Sequence, residues 1–261
     1  MYTGTVSNYP GKYRSVSERH GIKMKTIFIT GLSREMGLGV ALARNYLANG
    51  NRVLGSLRNI DQPHITAMKE KWGDMFSPVA MDLTSLESVR NAAGHVAKIS
   101  KVDILIANAT AADMSGNKPI DDGCCTENML NAYDVNAVGF IRMVQAFLPN
   151  FADGATIAAI SSEAGSMGRC WRDDHLDYGM AKAALNFACV TLQRRLAPTY
   201  GYRVLSIHPG WVQTRPAPPK ATLTPEESAE YIINTINSPP PYEETGNKGV
   251  FIQYDGQAYD F

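Results

Sequence analysis

Tyr178 and Lys182 stand four residues apart in the run Tyr178-Gly-Met-Ala-Lys182, downstream of a serine pair at Ser161 and Ser162. On a helix, that spacing puts a phenol and an ammonium one turn apart on the same face. An unperturbed tyrosine titrates near ~10, too high for easy proton exchange at neutral pH. A neighbouring ammonium favours the tyrosinate and brings the phenol into range for general acid–base work. A serine hydroxyl close by can hold an oxygen on which negative charge develops. Each residue also has a plainer reading: a YxxxK run is commonly helix surface, and a serine at a strand end is often a cap.

A second constellation could hold phosphate. The segment TGLSREMGLG, Thr30 to Gly39, joins the β-branched run TIFIT to an amphipathic stretch. A glycine-rich turn between strand and helix lets backbone approach a pyrophosphate, and the helix start supplies unpaired N–H groups. The spacing is not GxGxxG, and glycines in tight turns are commonly structural. The next strand-like run ends in Ser56-Leu57-Arg58, with no acid to bind a ribose 2′-hydroxyl. Arg34 inside the turn and Arg58 are both bases, and two guanidiniums there suit a 2′-phosphate. That favours NADP(H) over NAD(H). The plainer alternative is that both arginines are solvated surface.

These residues need elements to position them. Strand-like runs lie at Thr26–Thr30, Arg52–Leu57, Phe76–Met81, Val102–Ala107, Ala155–Ile160, Arg203–Ile207 and Val250–Gln253. Most are continuously apolar, as parallel strands covered on both faces are. Helical patterns fill 37–49, 62–72, 85–98, 126–149, 178–197 and 225–236. The alternation predicts an α/β fold: one Rossmann-like, doubly wound parallel sheet of about seven strands with helices on both faces. Residues 24–261 read as a single domain, and 1–23 as a flexible arm without an apolar signal core. The proline-rich segments Arg215–Pro219 and Ser238–Pro241 read as loops.

Taken in order, these motifs resemble the short-chain dehydrogenase/reductase family over nearly all of residues 25–261. The glycine turn resembles TGxxxGxG, with Glu35 where the middle glycine would stand. Asn108-Ala-Thr110 resembles the end of the family's NNAG, with Thr110 replacing glycine. The resemblance implies Tyr178 as proton donor or acceptor and Ser162 as partner of the substrate oxygen. It implies Lys182 bridging the ribose hydroxyls and Tyr178, and Asn136 holding a relay water. Cofactor contacts are implied at Gly31, Ser33, Arg34, Glu35, Met36, Gly37, Arg58, Asp82, Leu83, Asn108 and Ala109, with Tyr178 and Lys182 shared. Pro209, Gly210, Val212 and Thr214 would cradle the nicotinamide. Ser162 and Tyr178 lie 16 apart, farther than is usual in the family, and the extra residues fall in Gly168–Asp177. That insertion, the HPGWVQT run and the C-terminal GVFIQYDGQAYDF look most like the branch containing C-factor and carbonyl reductases.

Composition excludes other classes. Lysine plus arginine equal aspartate plus glutamate at 25 each, so no global field draws nucleic acid or an anionic membrane. No stretch approaches the ~18 apolar residues of a spanning helix. The four cysteines form no CxxC pair and the five histidines are scattered, so no metal site is implied. Adjacent Cys124 and Cys125 make a poor disulfide framework, which fits a reducing, cytoplasmic setting. The expectation is an NADP(H)-dependent enzyme interconverting a small-molecule carbonyl and an alcohol, as a homodimer or homotetramer. The alternative is an NADP(H)-binding sensor with little turnover, which the departures at Glu35 and Thr110 keep open.

Overall fold

The run TIFIT buries all five of its residues as β1 (Thr26–Thr30). Ile27 and Ile29 face one side of the sheet and Phe28 the other, as a strand's two-residue period requires. The computed structural model of the protein describes residues 24–111, 119–122, 126–214, 221–241 and 246–261. The expected N-terminal arm, the Cys124–Cys125 pair and the loop Arg215–Pro219 lie outside the described residues.

Six further strands follow: β2 (Arg52–Leu57), β3 (Phe76–Ala80), β4 (Val102–Ala107), β5 (Phe151–Ile160), β6 (Arg203–His208) and β7 (Phe251–Gln253). They form one sheet in the order β3-β2-β1-β4-β5-β6-β7, and every pairing is parallel. The fold is the expected Rossmann-like doubly wound sheet. The chain reverses its direction of travel between β1 and β4. In such sheets ligands bind in the crevice outside the strand C-termini at that reversal.

Two apolar layers cover the sheet. On one face α1 (Leu38–Ala48), α2 (Pro63–Trp72) and α7 (Pro225–Asn237) bring Leu42, Tyr46, Ile65 and Ile232 onto Ile29, Val53 and Leu205. On the other, α3 (Leu86–Ala97), α5 (Gly139–Phe147) and α6 (Leu176–Tyr200) bring Val89, Phe140, Phe147 and Leu185 onto Phe28, Leu105 and Val204. Each fully buried Phe, Leu or Ile contributes about 1.5–3 kcal/mol. The α7 start is set by sequence chemistry: Thr224 and Glu227 form a reciprocal capping box, and Pro225 occupies the first turn.

The single helix expected over 126–149 is broken. α4 (Thr126–Tyr133) passes through a π turn at Asp134–Val138 before α5 begins, and a 3-10 turn closes at Leu148–Asn150. Amphipathic periodicity cannot reveal a one-residue insertion in the helix ladder, which is why the sequence pattern reads as continuous. Arg142 stabilises the break. It donates to the Leu83 carbonyl at 3.1 Å and pairs with Asp134 at 2.7 Å.

Candidate active site

The crevice at the ends of β1 and β4 is drawn tight by backbone. Gly31 has φ +83°, and a Cβ there would lie 2.7 Å from the Ala109 Cα. A Cβ on Gly39 would lie 2.5 Å from the Gly31 carbonyl oxygen and 2.6 Å from the Asn108 amide nitrogen. Only glycine lets α1 start this close to the strand ends. Gly37 precedes α1 in an extended conformation with no side-chain cap; Val40 and Ala41 donate to its carbonyl, which leaves the N–H groups of Leu38 and Gly39 for a ligand. Ser33, Arg34, Glu35 and Met36 form the exposed tip of the turn. A backbone cradle at a helix start with room for no Cβ fits a dinucleotide pyrophosphate.

Thr30 and Asn108 hold this cradle. The Thr30 hydroxyl accepts from the Asn108 N–H at 3.0 Å and the Ala109 N–H at 2.9 Å. The Asn108 amide donates to the carbonyls of Thr30 at 2.9 Å and Gly31 at 3.3 Å. Asn108 therefore braces the turn with its side chain. Thr30 had no role assigned from sequence, because a strand-end threonine carries no spacing signal of its own. Glu35 is exposed and faces Arg44 on α1 across 3.8 Å. An i to i+9 pair of this kind depends on how the turn bends, which sequence spacing does not give.

Around the crevice's outer end, Arg58 is exposed just past β2. Asp82 accepts from the Thr84 N–H at 2.9 Å and hydroxyl at 2.8 Å. Those hydrogen bonds, with Arg58's charge as a lesser cause, hold its carboxyl below the usual range. Leu83 is buried beside Gly139. On the far side, the Pro209 carbonyl accepts from Ser228 at 2.7 Å, and Gly210 has φ +79°. A Cβ on Gly210 would meet Leu223 at 2.6 Å and Tyr254 at 2.9 Å. Val212 bridges to Leu223, and the Thr214 N–H donates back to the Val212 carbonyl at 2.8 Å.

The proton-handling residues meet where β5 ends. Ser162 caps a 3-10 turn at Glu163–Gly165, its oxygen accepting from the Ala164 N–H at 3.2 Å. Gly165 lies against α6 at Lys182, where a Cβ would be 2.7 Å from the Lys182 carbonyl carbon. That contact docks Tyr178 and Lys182, one turn apart, onto the Ser162 turn. Tyr178 is half-buried beside Ser162. Desolvation pushes its phenol up to about 12; Ser162 and Arg172 pull it down, and Glu163 pushes it further up. Lys182 is buried, donates to the Ile160 carbonyl at 2.8 Å and lies 5.5 Å from the Tyr178 ring centroid. Burial lowers its ammonium to about 7.

Asn136 sits in the π turn, brought to the β4 end. Its amide makes three hydrogen bonds: the oxygen accepts from the Thr110 hydroxyl at 2.7 Å and Ala111 N–H at 3.2 Å, and its NH₂ donates to the Ala111 carbonyl at 2.7 Å. A buried clamp lies behind the site. Asn186 accepts from Ser161 at 2.7 Å and Ser206 at 2.6 Å, and donates to the Gly165 carbonyl at 3.1 Å. Asn186, one turn beyond Lys182, went unmarked in the sequence; its position in the YxxxKxxxN register was the available signal. Glu163, next to Ser162, also went unassigned. Among the described residues no cluster of His, Cys, Asp and Glu could hold a metal ion, and no helix is long and apolar enough to cross a membrane.

A glycine-braced crevice beside a serine, tyrosine and lysine on a doubly wound sheet defines a nucleotide-binding oxidoreductase fold. The family model for short chain dehydrogenase matches residues 25–222, and the chain belongs to that family. Enzymes of the family use nicotinamide cofactors and act on small molecules. An uncharacterized oxidoreductase of Schizosaccharomyces pombe is 32% identical, with 91% of this chain and 98% of the relative covered. C-signal of Myxococcus xanthus is 32% identical over 59% of this chain and 90% of its own length. A short-chain dehydrogenase/reductase of Burkholderia multivorans, crystallised with bound NADP, superposes with a TM-score of 0.79 at 25% identity, covering 92% of this chain and 100% of that one.

Proposed function

We propose that the chain is an NADP(H)-dependent oxidoreductase that interconverts a carbonyl and an alcohol, with Tyr178 as its general acid and base. The observation that carries this reading is the docking of Tyr178, Ser162 and Lys182 on one turn beside the glycine crevice. The N–H groups of Leu38 and Gly39 at the start of α1 would hold the pyrophosphate, with Gly31 and Gly37 leaving room for its approach. Pro209, Gly210, Val212 and Thr214 would line the nicotinamide end. When bound, the nicotinamide supplies the hydride donor or acceptor.

The rest is proton and charge handling by the protein. In carbonyl reduction the Tyr178 hydroxyl gives its proton to the substrate oxygen, and in alcohol oxidation tyrosinate takes it back. Ser162, on the adjoining turn, would steady the same oxygen only once its own hydroxyl turns away from Glu163. Lys182, buried beneath the Tyr178 ring, stabilises tyrosinate whenever it carries its proton. Burial lowers its ammonium to about 7 in the free protein, so negative or hydroxyl partners arriving with the cofactor would favour its charged form.

Arg58 supports NADP(H) over NAD(H). The strand end Ser56-Leu57-Arg58 carries no acid, and Arg58 is exposed just past it, where a 2′-phosphate would sit. The Burkholderia multivorans relative's bound NADP points the same way. Arg58→Asp is expected to weaken NADPH by on the order of 1.5–3 kcal/mol, the scale of a charge-assisted contact, while NADH gains relatively. Calorimetric titration of both cofactors checks it, and a wild type that prefers NADH sinks the assignment. Assembly as a homodimer or homotetramer belongs to the same reading. Leu130 on α4 and Phe187 on α6 are 75% and 74% exposed, with Met180 one further heptad back along α6, a larger apolar display than a lone subunit usually leaves in water.

A further inference from the structure

Ser162 has one hydroxyl proton, and the structure shows where it goes. It is donated to Glu163 Oε2 at 2.7 Å. The Ser162 oxygen meanwhile accepts from the Ala164 N–H, and Tyr178 lies near enough for Ser162 to lower its phenol. With its proton committed to Glu163, Ser162 cannot at the same time donate to the phenol oxygen or to a substrate. Glu163 is itself 8% exposed and gripped from several sides. Arg172, from the insertion between Gly168 and Asp177, donates to its Oε1 at 2.5 Å. His208, at the end of β6, places Nδ1 3.7 Å from Oε2, and that buried nitrogen has no hydrogen-bond partner.

A buried carboxylate is costly unless it is paired and hydrogen-bonded. Burial pushes Glu163 up, but the hydrogen bonds from Ser162 and Arg172 and the charges of His208 and Arg172 outweigh it, so it stays ionised below the usual glutamate range. The groups facing this carboxylate are therefore Ser162, Arg172, His208 and, through Ser162, Tyr178; Asp255 acts in turn on His208. The insertion is not free to drift, since Gly168 and Arg169 are tied to Phe261 and Asp260 at 2.6 and 3.0 Å.

We propose that Glu163 is the positioning residue of this active site: its carboxylate, locked by Arg172, holds the Ser162 hydroxyl beside Tyr178 until the phenol ionises. The inference rests on reading Tyr178 as the group that gives its proton to the substrate oxygen. Its consequence is that Tyr178 alone donates to a bound carbonyl at first. As the phenol gives up its proton to the substrate oxygen, Ser162 turns its own O–H from Glu163 to the tyrosinate, and Arg172 keeps the carboxylate satisfied. No bond to carbon changes in this step; one hydrogen bond replaces another. The insertion that lengthens the serine-to-tyrosine spacing thereby becomes part of the catalytic geometry, because it carries Arg172.

Two variants of opposite sign test it. Glu163→Gln keeps the shape and removes the negative charge beside Tyr178; Arg172→Gln removes the positive one. Carbonyl reduction by the full chain would be followed from pH 6 to 12, with the labelled Cζ carbon of Tyr178 read by NMR and assigned by its loss in Tyr178→Phe. Glu163→Gln should lower kcat about tenfold to a hundredfold, the scale of a misaligned site, with little change in KM. Its alkaline limb should move to lower pH by about one unit, and that of Arg172→Gln to higher pH, as neighbouring charges require. The Tyr178 resonance should shift in both. Glu163→Asp, with the charge kept but the reach shortened, should restore the limb and not the full kcat. A role confined to stability would lower the melting temperature without opposed shifts. An unmoved limb and an unmoved Tyr178 resonance in folded Glu163→Gln overturn the proposal; if that variant does not fold, the same two readings from Arg172→Gln decide. Should wild type reduce no carbonyl, the functional reading fails, while the resonance still decides the positioning of Tyr178.

Discussion

Lys182 is a buried ammonium whose hydrogen-bond partner is a backbone carbonyl. Its folded-state value of about 7 lies far below the unfolded one. Between about pH 7 and the ordinary lysine range the unfolded chain therefore binds more protons than the folded one. Stability must rise with pH across that window and suffer the full cost below it. Urea midpoints of the free protein at pH 7 and pH 9 are expected to differ in that direction, and Lys182→Met should remove most of the difference. Tyr178→Phe keeps the ring and removes the acid; cofactor affinity should survive while turnover falls at least about 10²-fold. Asn108 gives a contrasting case, since its amide braces the Thr30 and Gly31 carbonyls. Asn108→Ala should cost about 1–3 kcal/mol of stability, the penalty for stranding a buried polar group, as read from chemical denaturation.

The turn from β1 into α1 and the break between α4 and α5 set the site's geometry. Gly39→Ala would push a methyl into the Gly31 carbonyl and the Asn108 amide. It should destabilise the fold by about 1–3 kcal/mol, as overpacking does, and weaken NADPH in a titration even though residue 39 need not touch it. The strands were readable from composition because both faces of a parallel strand must be apolar; β2 and β4 fall where their runs lie. Tyr178 and Lys182 were readable because helix spacing alone puts them on one face. The π turn that aims Asn136 at Ala111 was not, since an added residue changes hydrogen bonding and leaves the apolar period intact. Glu163 was hidden for another reason: its meaning depends on Arg172 and His208, 9 and 45 residues away and brought together only by folding.

The whole molecule adds a C-terminal strap. After β7, the Tyr259 N–H returns to the Phe251 carbonyl at 2.9 Å, and Arg169 stacks over the Tyr259 ring at 4.4 Å. The segment thus ties the last strand to the insertion that carries Arg172 and Trp171. Removing residues 257–261 should expose the insertion to limited proteolysis and raise KM, leaving the sheet's helical and strand signals in circular dichroism nearly unchanged. At this scale the sheet, the glycine crevice and the Ser162–Tyr178–Lys182 turn make one claim: that the protein binds NADP(H) and uses Tyr178 to move a proton at a substrate oxygen. The most direct test is turnover of a panel of ketones, aldehydes, diketones and quinones by wild type and Tyr178→Phe, following NADPH absorbance, with binding of NADPH measured by calorimetry on the same samples. The expected result is NADPH binding by both proteins, reduction of at least one carbonyl class by wild type, and at least about a 10²-fold loss in the variant. Absence of NADP(H) binding, binding without turnover of any carbonyl, or near-normal turnover by Tyr178→Phe would contradict it.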